Sequence, residues 1–198
     1  MQHDGTRWIV DTPGTSYAAK VVVNAAGAWV DEIAGLAQVK PIGIRPLRRT
    51  VITFDVPINV STWPFTKTVG PGFYIEPEGA GRLLACPMDE GISAPCDAQP
   101  EEEDVARAAW EIEQATTPTI PRLASKWAGL RSFASDRRPV YGDDPDVAGF
   151  AWFAGQGGFG IQPSPAAARL ARQLLLGEGK DGLTENLDAE LYSPARFA

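Results

Sequence analysis

The stretch FAWFAGQGGFGIQPSP, Phe150 to Pro165, joins an apolar run, a cluster of glycines and a predicted helix start. Gly155, Gly157 and Gly160 satisfy the spacing G-x-G-x-x-G. Glycines let a ligand approach the backbone closely, and the free N–H groups at a helix start favour an anion or an electron-rich carbonyl. The stretch therefore predicts either a ligand-binding turn or a tight strand-to-helix turn packed against protein.

The glycine spacing is not followed by the rest of a dinucleotide-binding unit. Such a unit needs a second strand that ends in an acid for the ribose. The segment after Leu176, GEGKDGLTENLDAELYSPARFA, has no β-branched run. We therefore interpret the G-x-G-x-x-G spacing as coincidental.

Three arginines lie at strand-like positions. Arg131 follows a small apolar run, where a charged side chain is costly unless it meets a partner, and Asp136 or a nearby acid is a candidate for a structural ion pair. Arg48 and Arg49 are adjacent, so their side chains point to opposite faces of a strand. One of these two is therefore expected to be solvated.

Composition restricts the kind of partner. The 198 residues are 44% hydrophobic and 22% charged, which is ordinary for a globular protein. The formal net charge of -7 disfavours nucleic acid and anionic membranes, because both need clustered Lys and Arg. Cys86, Cys96 and His3 form no metal-ligand spacing, and no apolar run approaches the ~20 residues of a membrane span. We expect a small-molecule partner, no metal and a cytoplasmic location.

The two ends of the chain carry patterns typical of a parallel sheet. Lys20 to Asn24 is a β-branched run of the kind found in strands buried on both faces, and Trp29 to Leu36 predicts a short helix after it. Phe150 to Ala154 predicts a second buried strand. The helix that follows the glycines is expected to have Ser164 as N-cap and Gly177 as its C-terminal stop.

The middle of the chain is predicted to be a β-rich module. Ile42 to Asp55 is extended, and the runs Gly72 to Pro77 and Arg82 to Cys86 predict a hairpin. EEEDVARAAWEIEQATT, which begins at Glu101, has apolar residues at spacings of three and four. One amphipathic helix is therefore expected to cover this sheet.

The C-terminal third resembles a known family. WAGLRSFASDRRPVYG, Trp127 to Gly142, and the glycine-rich stretch after it are similar to the D-amino-acid oxidase superfamily of FAD-dependent amine oxidoreductases. That family carries a G-[LF]-R segment, a D-x-x-P-V-x-G segment and a glycine-rich turn under the flavin. VVVNAAGAW, Val21 to Trp29, resembles the last strand of its FAD-binding sheet. RPLRRT, GFYIEPEG, EQATTPTI, WAGLRSF and QGGFGIQ resemble D-arginine dehydrogenase and related bacterial D-amino-acid dehydrogenases.

The resemblance implies a mixed α+β or α/β fold, the C-terminal part of a two-domain FAD-dependent amine oxidoreductase. Residues 1–40 and 148–198 are expected to belong to the Rossmann-like FAD-binding domain, with residues 41–147 as a β-rich, mixed-sheet substrate module between them. Family members begin with a strand-GxGxxG-helix unit that holds the FAD pyrophosphate, and this sequence has none. We expect a fragment, a degenerate gene, or a subunit that needs a missing N-terminal half or a partner subunit.

The activity implied by the resemblance is oxidation of D-amino acids. Hydride passes from the substrate Cα to flavin N5, and the imino product hydrolyses to a 2-oxo acid and ammonia. The alternatives are a glycine, sarcosine or D-amino-acid oxidase that uses oxygen, and a non-catalytic remnant or interaction subunit of the same fold. No Ser-His-Asp arrangement is evident, so acyl transfer has no support and no side chain is assigned as acid or base.

The resemblance also implies the site residues. Arg131 is expected to grip the substrate carboxylate through two parallel hydrogen bonds. Arg49, or else Arg48, would supply a second carboxylate contact, and Tyr74 either lines the site or is a buried tyrosine with its hydroxyl at a rim. Arg137 stands where many relatives have glycine. The expected FAD contacts, which share Gly158 with the substrate site, are Ala26, Gly27, Trp29, Gly155, Gln156, Gly157, Gly158, Phe159, Gly160, Ile161 and Gln162.

Overall fold

The computed structural model describes residues 1–197, which contain twelve strands and three α-helices. In chain order the strands are β1 (Gln2–His3), β2 (Trp8–Thr12), β3 (Thr15–Ala19), β4 (Val22–Asn24), β5 (Arg45–Asp55), β6 (Thr66–Lys67), β7 (Tyr74–Pro77), β8 (Arg82–Cys86), β9 (Gly91–Ile92), β10 (Leu123–Phe133), β11 (Val140–Asp143) and β12 (Phe150–Ala154). The helices are α1 (Val30–Leu36), α2 (Glu102–Ala115) and α3 (Ser164–Leu176), with 3-10 turns at Gly27–Trp29, Ala189–Tyr192 and Pro194–Phe197. This composition confirms the predicted mixed α and β fold class.

The chain divides into two compact units. The first combines Met1–Pro46 with the segment that begins at Arg131, and the second is Leu47–Leu130. The sequence placed its boundaries after residue 40 and after residue 147 instead. The later boundary moves because β11 pairs antiparallel with β12, from Val140 opposite Ala154 to Asp143 opposite Ala151. This hairpin of consecutive strands joins β11 to the first unit.

The first unit contains two three-stranded sheets, in the orders β1-β2-β3 and β11-β12-β4. β12 and β4 are parallel, with Phe150 opposite Val22 and Trp152 opposite Asn24. The two ends of the chain therefore share a sheet, as their patterns predicted. The expectation that the β4 run is buried on both faces is wrong, because β4 is an edge strand within residues 1–197 and Val23 is 44% exposed.

Buried aromatic rings hold the first unit together. Trp8, Phe150 and Trp152 are at most 1% exposed, and the ring centroids of Trp8 and Phe150 lie 5.7 Å apart. Val30 and Ala34 of α1 are fully buried in the same cluster. This packing gives β12, and the glycines that follow it, a rigid support.

The α3 helix begins where the glycine-rich stretch ends. Leu170 is buried on its inner face, and Gly177 ends the helix with a φ of +64°, as predicted. The prediction for Ser164 is wrong. Pro163 is the N-cap residue, and Ser164 Oγ donates to the Ile161 carbonyl at 2.8 Å, so the hydroxyl caps no helix N–H group.

The second unit is built on one sheet covered by a helix, and its pairs β5–β8, β5–β9, β6–β7 and β7–β8 are antiparallel. The strand order is β10-β5-β8-β7-β6, and β9 also pairs with β5. β7 and β8 form the predicted hairpin, with Tyr74 opposite Cys86. Val105, Ala108 and Ile112 of α2 join the core formed by this sheet. The predicted amphipathic helix is therefore confirmed.

Ile112→Ala should lower the free energy of unfolding by about 2–5 kcal/mol, because Ile112 is fully buried and its loss leaves a cavity. Urea denaturation followed by circular dichroism measures this change. Trp110→Ala is the matched control, since Trp110 is on the same helix and 63% exposed, and it should change stability by less than about 0.5 kcal/mol. Equal losses in the two variants would contradict the packing of α2.

Candidate functional site

The glycine turn, residues 155–162, connects β12 to α3. Gly155 and Gly157 have φ values of +69° and +57°, in the left-handed region that disfavours other residues. The Gly157 N–H donates to the Ser132 carbonyl at 2.9 Å. The turn is therefore fixed to the end of β10.

Part of the glycine turn packs closely against residues 132–139, which we call the support segment. A β-carbon at Gly157 would lie 2.4 Å from Cε1 of Phe133, which is 6% exposed. A β-carbon at Gly155 would lie 3.3 Å from the Arg138 carbonyl oxygen. For these two glycines, the interpretation as a tight turn packed against protein is correct.

The next residue of the turn lies against Arg131. A β-carbon at Gly158 would lie 2.6 Å from Arg131 Nη1, so only glycine leaves the guanidinium in this position. Arg131 and residues 157–162 line a cavity of about 530 Å³. The structure thus brings Arg131 together with six of the predicted FAD contacts.

Arg131 has no anionic partner in the described part of the chain, where its guanidinium makes no hydrogen bond or ion pair. The expected pair with Asp136 is wrong, because Asp136 Oδ2 accepts from Arg196 Nε at 2.9 Å. Burial opposes ionisation of Asp136, but hydrogen bonds from Arg196 and the Arg138 N–H hold its pKa below the ordinary value. Arg131 is therefore a half-buried cation with unused donors, which favours binding of an anion.

Backbone donors lie along the same cavity. Within residues 1–197, the N–H groups of Gly158, Gly160, Ile161 and Gln162 donate no backbone hydrogen bond. They precede α3, whose N-terminus carries partial positive charge. These donors fit an electron-rich carbonyl or an anion.

Gln156 faces a second cavity. Its Oε1 accepts from the Tyr141 hydroxyl at 2.9 Å, and its Nε2 is buried with no partner in the described residues. Burial raises the pKa of Tyr141, so the phenol stays protonated and keeps donating at neutral pH. Tyr141, Phe159 and Leu170 are among the residues around this cavity of about 260 Å³, which Arg131 does not line.

Three other predicted FAD contacts lie between β4 and α1. Gly27 has a φ of +60°, Trp29 is 41% exposed, and Ala26 packs partly against the core of the first unit. None of the three lines the Arg131 cavity. Their role toward FAD stays a prediction.

The remaining predicted substrate residues belong to the second unit. Arg49 Nη2 donates to Glu90 Oε1 at 3.0 Å, and its side chain is 10% exposed. Arg48 pairs with Glu101, and its side chain is 18% exposed. The expectation that one of these arginines is solvated is wrong, because both meet acids. Tyr74 is half-buried on β7, and all three stay predicted substrate contacts.

Sequence reasoning missed two residues that shape the site. Phe133 decides how closely the glycine turn packs, and the sequence analysis gave it no role. Arg196 binds Asp136 across 60 residues of sequence, a separation that leaves no local signal. Arg137, noted as standing where relatives have glycine, has a φ of +61°, and its guanidinium carbon lies 4.0 Å from the Phe133 ring centroid.

Comparison with known proteins identifies the family. Residues 1–174 match the family described as FAD dependent oxidoreductase (DAO), and the chain belongs to that family. It is 27% identical over 182 residues to glycine oxidase from Geobacillus kaustophilus, covering 88% of this chain and 45% of that protein. It is 28% identical over 193 residues to FAD-dependent oxidoreductase domain-containing protein 1 from Bos taurus, covering 89% and 39%.

Solved structures share the fold. The crystal structure of L-proline dehydrogenase from P. horikoshii superposes with a TM-score of 0.79 at 23% identity, covering 96% of this chain and 50% of that one. The chain thus spans about half the length of the relatives it matches. A special closeness to D-arginine dehydrogenase stays a prediction from the sequence.

FAD is the cofactor of this family, and the glycine turn fits part of it. The unpaired N–H groups of residues 158 and 160–162 match an electron-rich ring edge, and the absence of a β-carbon at Gly158 lets the Arg131 guanidinium lie against the turn. Within residues 1–197, no three His, Cys, Asp or Glu side chains are placed to hold a metal ion. No helix in that range has the length and apolar character needed to cross a membrane.

Gly157→Ala should lower the free energy of unfolding by about 2–4 kcal/mol, because it adds a clash with Phe133 to the cost of a left-handed backbone. Gly177→Ala is the control. Gly177 has a similar φ of +64° but open space around it, so it should lose only about 1–2 kcal/mol. Thermal or urea unfolding measures both, and equal losses would show that the Phe133 contact contributes nothing.

Proposed function

We propose that this chain contributes the substrate-carboxylate site and part of the flavin site of an FAD-dependent oxidoreductase that oxidises amino acids. The observation that carries the proposal is the Arg131 guanidinium, which has no anionic partner within residues 1–197 and lies beside the glycine turn. An α-amino acid supplies the carboxylate that this cation lacks. Family membership supports the oxidation itself.

Arg131 would bind and orient the substrate. Its planar fork forms two parallel hydrogen bonds with a carboxylate, which fixes the direction of the adjacent Cα. FAD, when bound, supplies the chemistry of hydride acceptance. Correct placement of the Cα contributes to the rate as well as to binding.

The N–H groups of the glycine turn would stabilise negative charge on the electron-rich edge of the cofactor. Such donors are effective only when they are already in place before charge develops. The close packing of Gly157 on Phe133 provides that preorganisation. The imino acid formed by oxidation would hydrolyse to a 2-oxo acid and ammonia.

We infer D-amino acids as the substrates, on the sequence segments that resemble D-amino-acid dehydrogenases. The names of two similar proteins, glycine oxidase and L-proline dehydrogenase, support glycine and L-proline as competing candidates. A cytoplasmic location fits this metabolic role. A non-catalytic subunit is the alternative from a different class, since the chain spans about half of its relatives.

A substrate panel on the flavin-loaded protein tests these choices. D-arginine, D-alanine, glycine, sarcosine and L-proline are added without oxygen, and loss of the visible flavin absorbance is recorded. Bleaching by the D-amino acids supports the proposal, whereas bleaching by glycine or L-proline alone contradicts the D-specificity. No bleaching by any of them overturns the catalytic assignment. Peroxide formation in air then separates an oxidase from a dehydrogenase.

Arg131→Lys should lower kcat/KM for carboxylate substrates by about one to two decades, the equivalent of about 1.5–3 kcal/mol, because lysine keeps the charge without the two-point grip. FAD content and the unfolding temperature should not change. Arg172→Lys is the control, since Arg172 forms an exposed pair with Glu178. Unaltered kinetics in Arg131→Lys, or a loss of activity that only follows unfolding, would contradict the assignment.

A further inference from the structure

We propose that Arg196 is the residue that positions the glycine turn. It contacts neither the Arg131 cavity nor the turn itself, and it acts through the support segment, residues 132–139. The positioning stands on contacts within the first unit alone. Its consequence for the reaction rests on the function proposed above.

The Arg196 guanidinium is fully engaged. Its Nε and Nη2 donate to the two carboxylate oxygens of Asp136 at 2.9 and 3.2 Å. Nη2 also donates to the carbonyls of Arg138 at 3.1 Å and Pro139 at 3.0 Å, and Nη1 donates to the Ser193 carbonyl at 2.9 Å. The side chain is 15% exposed. Arg196 therefore binds three residues of the support segment, Asp136, Arg138 and Pro139, through one side chain.

One of the atoms that Arg196 binds also lies against the glycine turn. The Arg138 oxygen held by Arg196 is the atom that a β-carbon at Gly155 would approach to 3.3 Å. At the other end of the support segment, the Ser132 carbonyl accepts from the Gly157 N–H at 2.9 Å. The position of the turn is thus set by a segment that Arg196 holds in place.

The support segment contains a bend with a strained backbone, which Arg196 restrains. Arg137 has a φ of +61°, a conformation that costs a non-glycine residue energy. Inside the bend, the Arg137 N–H donates to the Ala134 carbonyl at 2.9 Å, and the Arg138 N–H donates to Asp136 Oδ1 at 3.1 Å. Of these two bonds only the one to Asp136 involves a charged group, whereas every bond from the Arg196 guanidinium does. A lysine cannot replace them, since an ammonium has three N–H donors at one atom and does not reach all five acceptor oxygens.

Hydrogen exchange of individual amides, measured by NMR on this chain, tests the positioning. Arg196→Lys should speed exchange of the Gly157 amide at least tenfold, while the amide of Leu170 in the middle of α3 keeps its rate. Arg172→Lys, at an exposed ion pair, is the control and should change neither. An unchanged Gly157 amide overturns the proposal. Equal acceleration at Gly157 and Leu170 also overturns it, because that indicates global destabilisation.

Asp136→Asn is a second variant that tests the same proposal if Arg196→Lys does not fold. The amide retains the shape of the carboxylate but removes its charge, so a smaller acceleration at Gly157 is expected. An Asp136→Asn variant with wild-type exchange at Gly157 contradicts the role of the Arg196 clamp. This second variant leaves the Arg196 contacts with the carbonyls of residues 138, 139 and 193 in place.

Turnover of the flavin-loaded protein tests the catalytic consequence separately. Arg196→Lys should lower kcat about tenfold with little change in KM, since small displacements of preorganised donors affect the chemical step. Faster exchange at Gly157 with wild-type kcat would leave Arg196 as a positioning residue and overturn the catalytic role of the turn. Failure of the function itself would instead appear as an absence of flavin reduction in the unmutated protein.

Discussion

The contact between Gly157 and the Phe133 ring is the constraint on which the rest of the site depends. A glycine at this position lets the backbone lie against a buried aromatic ring at a distance that no side chain permits. The turn is packed against protein at residues 155 and 157. The N–H groups assigned to a ligand belong to residues 158 and 160–162, which line the Arg131 cavity.

Arg131 shows how a fold retains a cation that contributes nothing evident to its own stability. Acidic residues are available nearby in the sequence, yet Asp136 is held by Arg196, and Arg131 has no counter-charge in the described residues. Removing a guanidinium partly from water without a partner is unfavourable. In the proposed function, the substrate carboxylate would supply the missing counter-charge.

Local patterns predicted most helices and strands correctly. The sequence analysis did not predict which segments contact one another around the site. The spacing of apolar residues in α2 and the glycine after α3 were enough to place both helices, because each signal lies within a few residues of its effect. The boundary predicted after residue 147 differs from the observed one, because β11 forms a hairpin with β12 and so belongs to the same unit. The glycine turn was found from its residue types, but its partner Phe133 was not. Ser164 was misread because a serine before a helix can donate backward as well as cap forward.

Arg137 links the bend of the support segment to the ring on which the glycine turn packs. Its left-handed backbone costs about 1 kcal/mol or more relative to glycine, and its stacking on Phe133 contributes about 0.5–1 kcal/mol in the opposite direction. The same Phe133 ring fills the space that a β-carbon at Gly157 would need. A change of side chain at position 133 therefore acts on the bend and on the glycine turn at once.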